Sequence, residues 1–440
     1  MQIMKKCILT LGLLLLGSAT LCAQSMQLTL DQALEIALSD NPTVQIAEQE
    51  IERYDYVKQQ TWGNLLPQIS ATGQYVLSVV KSEMRGGLSF GADNTFTFSG
   101  DVSLPLFAPQ IYRTLKLNKT QLAAAVESAR ATRIDLVAAV RIAFYNILLA
   151  EQSLEVLYES EATVQQTVNE TQLKFENGLA SEYDLLTAQV QLSNLQPTIL
   201  QTKQAVEVAK LSLKMYLSLP EQVEIEVVGE LNQMRDIVFA GGDLTTDISE
   251  NSSLRQLDLQ AELLQRQLRV ANASRMPTLA AFGQVSFSGN DMEAISLFGG
   301  GTPSKYKFFW TNPISVGVAL SVPIFSGFTK SAQAKSIKNQ IGQLEMQRSY
   351  VQQQIDVQVR NAISSVMTAR EKMFAQENTM QQAEKAYGIS ETRYNAGAGT
   401  MLELNMSRLN LTQARLNFSQ AIFDYLSAKA EYDKIIGREN

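Results

Sequence analysis

Between Thr95 and Pro105 apolar and polar residues alternate. Phe96, Phe98, Val102 and Leu104 fall on one side of an extended chain, and Thr95, Thr97, Ser99, Asp101 and Ser103 fall on the other. A period of two predicts a strand with one apolar and one wet face. The alternation returns in "SVGVALSV", where Val316, Val318, Leu320 and Val322 oppose Ser315, Gly317, Ala319 and Ser321. With two neighbouring runs, the pattern predicts strands over 68–80, 94–105, 278–289 and 313–323, joined by Gly-rich surface loops at 81–93 and 290–312. After each strand pair the period changes to that of a helix. From Leu136 through Val140, Ala143 and Ile147 to Phe175, a three–four spacing is apolar at ten of twelve positions. From Ile355 to Tyr394 the corresponding positions are again apolar at ten of twelve. These are coiled-coil seams.

The two halves repeat one another. "LPQI" at Leu66–Ile69 returns as "MPTL" at Met276–Leu279, offset by 210. "LPLF" at Leu104–Phe107 returns as "VPIF" at Val322–Phe325, offset by 218. "KFENGLASEYDLL" at Lys174–Leu186 returns as "RYNAGAGTMLELN" at Arg393–Asn405, offset by 219. Three matches in one order define a duplication. Each half reads as helix, strand, loop, strand, long helix, tight turn, returning helix. The halves span 24–230 and 231–440. The first helix starts near Thr29 or Asp31, with Leu30, Leu34 and Leu38 at helical spacing. The long helices cover 109–177 and 327–396, and the returning helices cover 180–218 and 400–436. A helix over 109–177 is about 100 Å long at 1.5 Å per residue. Pro197 has no counterpart at Leu416, so the first returning helix is expected to break there.

Composition narrows the class. The chain has 440 residues and is 45% hydrophobic, and no run after residue 23 is long and apolar enough for a membrane-spanning helix. Its formal charge is −7 with the basic residues scattered, which argues against nucleic acid as a partner. Lys5 and Lys6 followed by the apolar stretch Ile8–Leu16 predict a secretory signal over 1–23, cut after Ala23. Cys22 raises a lipoprotein reading, against which the bulky Leu21 before it stands. Cleavage removes both cysteines and leaves a thiol-free chain.

Four amphipathic strands in two separated hairpins cannot bury a face alone. Their length suits strands tilted through a bilayer. Lipid offers no hydrogen bonds, so such a sheet must close. Four strands cannot close, but three chains supply twelve, and the missing neighbours are then expected from other copies. Phe96, Phe98, Val316 and Val318 face lipid in this reading, and Thr95, Thr97 and Asp101 face a wet lumen.

With the repeat, the Pro-bounded hairpins and the turn "F-x-x-G-x-x-S-x-x-D-L-L-x-A" at Phe175–Ala188, the chain resembles the TolC-like outer-membrane efflux proteins over its whole mature length. The resemblance implies a mixed α and β membrane protein. It would be a homotrimer whose twelve-stranded outer-membrane β-barrel, four strands per chain, continues into a periplasmic α-helical coiled-coil tunnel. It further implies outer-membrane lipid, a periplasmic adaptor and an inner-membrane RND or ABC transporter as partners, and it places 219–250 in an equatorial belt. The function implied is a passive exit duct for efflux or type I secretion. The alternative from the residues is a periplasmic coiled-coil structural protein of the envelope.

Catalysis finds no support. The chain has no histidine, which removes His-based triads and His metal sites, and no cofactor or metal is expected. Met373 and Met380 lie on the seam as packing residues. The turns carry the candidate sites. Gly178 and Gly397 suit left-handed helix ends. Ser181 and Thr400 suit N-caps, with Asp184 and Glu403 three residues on at the capping-box position. By resemblance, Gly178, Gly397, Ser181 and Thr400 mark the tips where an adaptor docks, and Glu403, Asp184 and Tyr394 belong to a periplasmic gate. Glu403 matches the first acid of a ring around the entrance, whereas the second falls on Met406. The position of a latch arginine is Gly399, so this gate would carry one acidic ring and no such salt bridge.

Overall fold

The computed structural model describes residues 26–80, 82–84, 88–234, 244–291 and 309–439. The expected signal segment, and residues 292–308 of the second expected loop, lie outside these residues. Chain order is β1 (Met26–Leu28), α1 (Leu30–Asp40), α2 (Pro42–Gly63), β2 (Gln68–Leu77), β3 (Ser82–Met84), β4 (Leu88–Phe90), β5 (Asn94–Phe107), α3 (Pro109–Glu176), α4 (Glu182–Leu217) and β6 (Ile225–Val227). A 3-10 turn (Leu231–Met234) leads to α5 (Ser252–Ala273), β7 (Thr278–Asn290), β8 (Phe309–Thr311), β9 (Ile314–Ser321), α6 (Thr329–Asn395) and α7 (Met401–Ile436). The duplication carries through to element length. α2 and α5 both have 22 residues, and α4 and α7 both have 36.

Two compact units divide the chain. One takes the described residues within Met1–Glu48, Glu127–Arg255 and Tyr350–Asn440, and the other takes Gln49–Val126 and Gln256–Ser349. Each unit draws matching pieces from both repeats, so repeat boundaries are not unit boundaries.

The second unit holds the sheet. β5 pairs antiparallel with β2 on one side and with β7 on the other, and β7 continues to β8 and β9. This corrects the expectation that the neighbours of the 94–105 strand come from other copies. Both lie within the chain, and the two hairpins form one sheet. Alternation specifies a strand's faces but not its partner. Pro313 separates β8 from β9, and its carbonyl still accepts from the Ser286 amide at 3.0 Å. The fourth expected strand is therefore present as β9, ending at Ser321, and β8 falls within the expected loop. The expected loop at 81–93 contains a short hairpin, β3 with β4.

Register sorts the side chains. Directly opposed residues share a face, so Ile69 with Val102, Tyr75 with Phe96, Phe98 with Phe287, and Val318 with Ala281 fall on one side. Thr97 with Gln74 and Ser288, and Asp101 with Ser70 and Gln284, fall on the other. Val76 opposite Thr95 and Phe309 opposite Asn290 are apolar exceptions on the polar face, and so is Phe282. It lies over Gly317, where an added Cβ would approach its ring to 2.9 Å. Among the described residues, side chains on the apolar face stay open to solvent. Phe98 is 55% exposed, Val316 84% and Val318 65%. Among the described residues β2 and β9 pair on one edge only.

The first unit holds the main apolar core. The seam residues Leu136, Val140, Ile147, Leu157 and Val164 of α3 and Ile355, Val359, Val366 and Met373 of α6 are buried as their spacing requires. On α1 the buried stripe is Ala33 and Ala37, with the leucines at its margin. Thr29 caps α1 through a capping box with Gln32. The helix then stops at Asn41, because Pro42 opens α2 and the Asn41 side chain accepts from the Thr43 amide at 2.8 Å.

α4 runs unbroken through Pro197. Proline removes one helical hydrogen bond and crowds the preceding turn. Packing outweighs that cost: Ile199, Val206, Ala209 and Leu213 of α4 are buried, and Lys210 pairs with Glu151 of α3 at 2.9 Å. The segment expected in a belt contains β6, parallel to β1. Nearby, the fully buried Tyr432 accepts from the Thr245 amide at 2.6 Å and donates to the Thr245 carbonyl at 2.9 Å.

Arg130 closes the same unit. It donates to the carbonyls of Gly437 (2.7 Å) and Glu250 (3.1 Å) and to the carboxylates of Glu127 (3.0 Å) and Glu439 (2.8 Å). Gly437 ends α7 at φ 82°, and any Cβ there would overlap the Glu250 carbonyl. Gly437→Ala combines a left-handed residue with backbone overlap and is expected to cost about 1–3 kcal/mol. The midpoint of denaturant unfolding reads this out.

Candidate functional site

Two helical turns form the candidate site, and they are built alike. α3 ends in a Schellman arrangement: Gly178 has φ 73°, its amide donates to Phe175, and the Leu179 amide donates to Lys174 at 2.7 Å. α6 ends in the same way. Gly397 has φ 72°, its amide donates to Tyr394, and the Ala398 amide donates to Arg393 at 2.8 Å. Only glycine takes this conformation without a Cβ penalty.

Each returning helix then begins with a capping box. The Asp184 amide donates to Ser181 Oγ at 3.1 Å, and the Ser181 amide and hydroxyl donate to Asp184 Oδ2 at 3.3 and 2.6 Å. The Glu403 amide donates to Thr400 Oγ1 at 3.2 Å, and the Thr400 amide donates to Glu403 Oε2 at 3.4 Å. The structural role expected of both carboxylates is therefore present. Among the described residues no hydrogen bond joins Asp184 to Tyr394.

Three cations around these turns were not foreseen from the sequence. Arg393 Nη1 lies 3.8 Å from Glu403 Oε2, with both side chains more than half exposed, so the pair adds at most about 1 kcal/mol. Gly399, at the position of the expected latch arginine, sits tightly: a Cβ would lie 3.1 Å from the Tyr394 nitrogen and 3.2 Å from Arg393 Cβ. Lys174 Nζ lies 4.7 Å from the centroid of the Tyr394 ring. Arg408 is buried at 5% exposure on the core face of α7, donates to Thr167 Oγ1 at 2.9 Å, and lies 5.7 Å from the Tyr387 ring. Its phase between Leu404 and Leu411 was the available signal, since a charge at a seam position must be buried.

Burial first, and then a hydrogen bond to Glu391, push the Tyr387 phenol above its ordinary value, against the opposing pull of Arg408. The ring therefore stays neutral at physiological pH. Tyr387 and Tyr394 pack with Val168 against a small core of Ala188, Met401 and Leu404, to which all four tip helices contribute.

The chain thus combines two like-built helical turns with an amphipathic sheet, each assembled from both copies of the repeat. The sequence profile of the family described as "Outer membrane efflux protein" matches residues 33–218 and 246–438, and the chain belongs to that family. Its place is the outer membrane, as an efflux or secretion channel.

Among its relatives is the alkaline protease secretion protein AprF of Pseudomonas aeruginosa, 22% identical over 402 residues, which span 90% of this chain and 81% of AprF. The outer membrane protein TolC of Escherichia coli is 21% identical over 384 residues, covering 86% of this chain and 75% of TolC. The fold is similar to the crystal structure of the outer membrane protein VceC of Vibrio cholerae, with TM-score 0.73, 15% identity and coverage of 93% and 96% of the two chains.

The caps set the first helical turns at the tips. Ser181→Ala and Thr400→Ala should each cost about 1 kcal/mol of stability. Urea denaturation of each variant checks this, and a loss confined to one of the two would break the equivalence of the turns.

Proposed function

We propose that three copies of this chain form a twelve-stranded barrel in the outer membrane, with the helices building a tunnel into the periplasm that serves as the exit duct of a tripartite efflux or type I secretion system. The observation that carries this reading is the sheet. Among the described residues its two outer strands, β2 and β9, each have an unpaired edge, and its apolar face is exposed at Ile69, Phe98, Phe287, Val316 and Val318. In lipid an open edge is untenable, and rotating copies about an axis joins the β2 edge of one to the β9 edge of the next. The apolar face then meets lipid and the polar face, with Asp101 and Thr97, meets water.

A periplasmic adaptor docking at the turns around Gly178 and Gly397, and an energised inner-membrane transporter behind it, complete the proposed assembly. The 219–250 segment belongs to its equatorial belt. Relatives named for alkaline protease secretion and for toluene efflux support duct function and leave the cargo class open. The exposed apolar face also weighs against a periplasmic structural protein.

Native mass measurement in detergent should give a particle near three times the mature chain mass. A monomer-sized particle would end the closure argument.

In this assembly Glu403 occurs three times around one axis and prefers cations at the narrow entrance. Arg393 beside it weakens the ring. In a planar bilayer, Glu403→Gln should lower cation preference and weaken block by multivalent cations while the trimer persists. Unchanged selectivity and block would leave Glu403 a helix cap alone.

A further inference from the structure

Tyr394 reaches α3 through its ring face and not through its hydroxyl. Lys174 lies over the ring at 4.7 Å, and among the described residues neither a hydrogen bond to the Tyr394 hydroxyl nor a carboxylate paired with Lys174 occurs. A second contact of the same chemistry lies one heptad away. Tyr387 precedes Tyr394 by seven residues on α6, and Thr167 precedes Lys174 by seven on α3. There the guanidinium of Arg408 spans both, donating to Thr167 at 2.9 Å and facing the Tyr387 ring at 5.7 Å. Two successive heptads of the seam are thus joined by a cation on a tyrosine face.

The lower contact involves the half-buried Lys174 and Tyr394, one turn above the glycines that end both helices. Any widening of the tips that parts α3 from α6 separates this pair before the buried Arg408 layer.

We propose that Lys174 is a gating residue, its ammonium on the Tyr394 ring clasping α3 to α6 within each protomer and holding the entrance narrow. This rests on the channel reading above. It adds to that reading the contact that resists opening and the residue that makes it. A cation–π contact tolerates loss of the hydroxyl, because phenylalanine presents a similar face, but not loss of the ring or of the cation. Removing one contact of this kind shifts a local two-state equilibrium by about two- to fivefold, and three protomers opening together multiply this to roughly ten- to hundredfold.

The test is single-channel recording of the purified protein in planar bilayers. Lys174→Gln and Tyr394→Leu should each raise the open-state population by about tenfold or more. Tyr394→Phe and Lys174→Arg should match the parent. The double variant Lys174→Gln/Tyr394→Leu should open no more than the stronger single one. Native mass and thermal midpoint confirm assembly of each variant. If Tyr394→Leu fails to assemble, the contrast between Lys174→Gln and Lys174→Arg decides alone. Opening in Tyr394→Phe equal to that in Tyr394→Leu would replace the clasp with a hydroxyl latch. A conducting parent with an unchanged Lys174→Gln would overturn the clasp and leave the channel reading standing. A parent that neither assembles nor conducts would remove both.

Discussion

Among the described residues the outer edges of β2 and β9 pair with no other strand, and this unmet demand governs the rest of the fold. In water such an edge is an aggregation hazard, and in lipid each unpaired group costs several kcal/mol. The chain meets half of the demand internally by pairing β5 with β7, which fuses hairpins from two distant repeats. In the proposed assembly the remainder is met by repetition of the same sheet about an axis. Each chain must then present identical register and one unbroken apolar face. Phe282, an apolar residue on the polar face, fits this requirement only because Gly317 leaves room for its ring.

The duplication supplies two near-equal arms, and their differences fall where they do little harm. α4 and α7 have equal length and end alike, but the left-handed end residue is Ser218 in one and Gly437 in the other. At Gly437 the backbone of another segment presses against the position and excludes a side chain, whereas position 218 carries one. Pro197 opposite Leu416 shows the same tolerance. A helix anchored along its whole length survives one lost hydrogen bond that a short isolated helix would not.

Much of this was legible in the residues, for reasons that also mark the limits. Seams, caps and turn glycines depend on neighbours in sequence, and the seam from Leu136 to Val164, Thr29, Ser181, Thr400, Gly178 and Gly397 were readable, whereas Phe175 at the expected end of the seam is exposed. The faces of the strands were readable from parity. Which strand lies beside which was not, because alternation is satisfied by any partner in register. Contacts made by aromatic rings across the fold, such as Tyr432 with Thr245 and Lys174 with Tyr394, leave no local trace. The assignment of Asp184 and Glu403 as gate groups came from resemblance, and their own spacing pointed to caps.

Capping and gating need not compete at Glu403. The Thr400 amide and the Arg393 guanidinium both engage Oε2, and among the described residues no donor reaches Oε1. The cap thereby fixes the carboxylate in one orientation while about half of the side chain stays in solvent. A free glutamate would spread its charge over several rotamers and pay to order itself around each passing cation. A capped one has its position set by the helix start, which Gly397 and Gly399 in turn hold against the end of α6. The contacts that make Glu403 look structural are those that would give three such charges a defined geometry at the entrance.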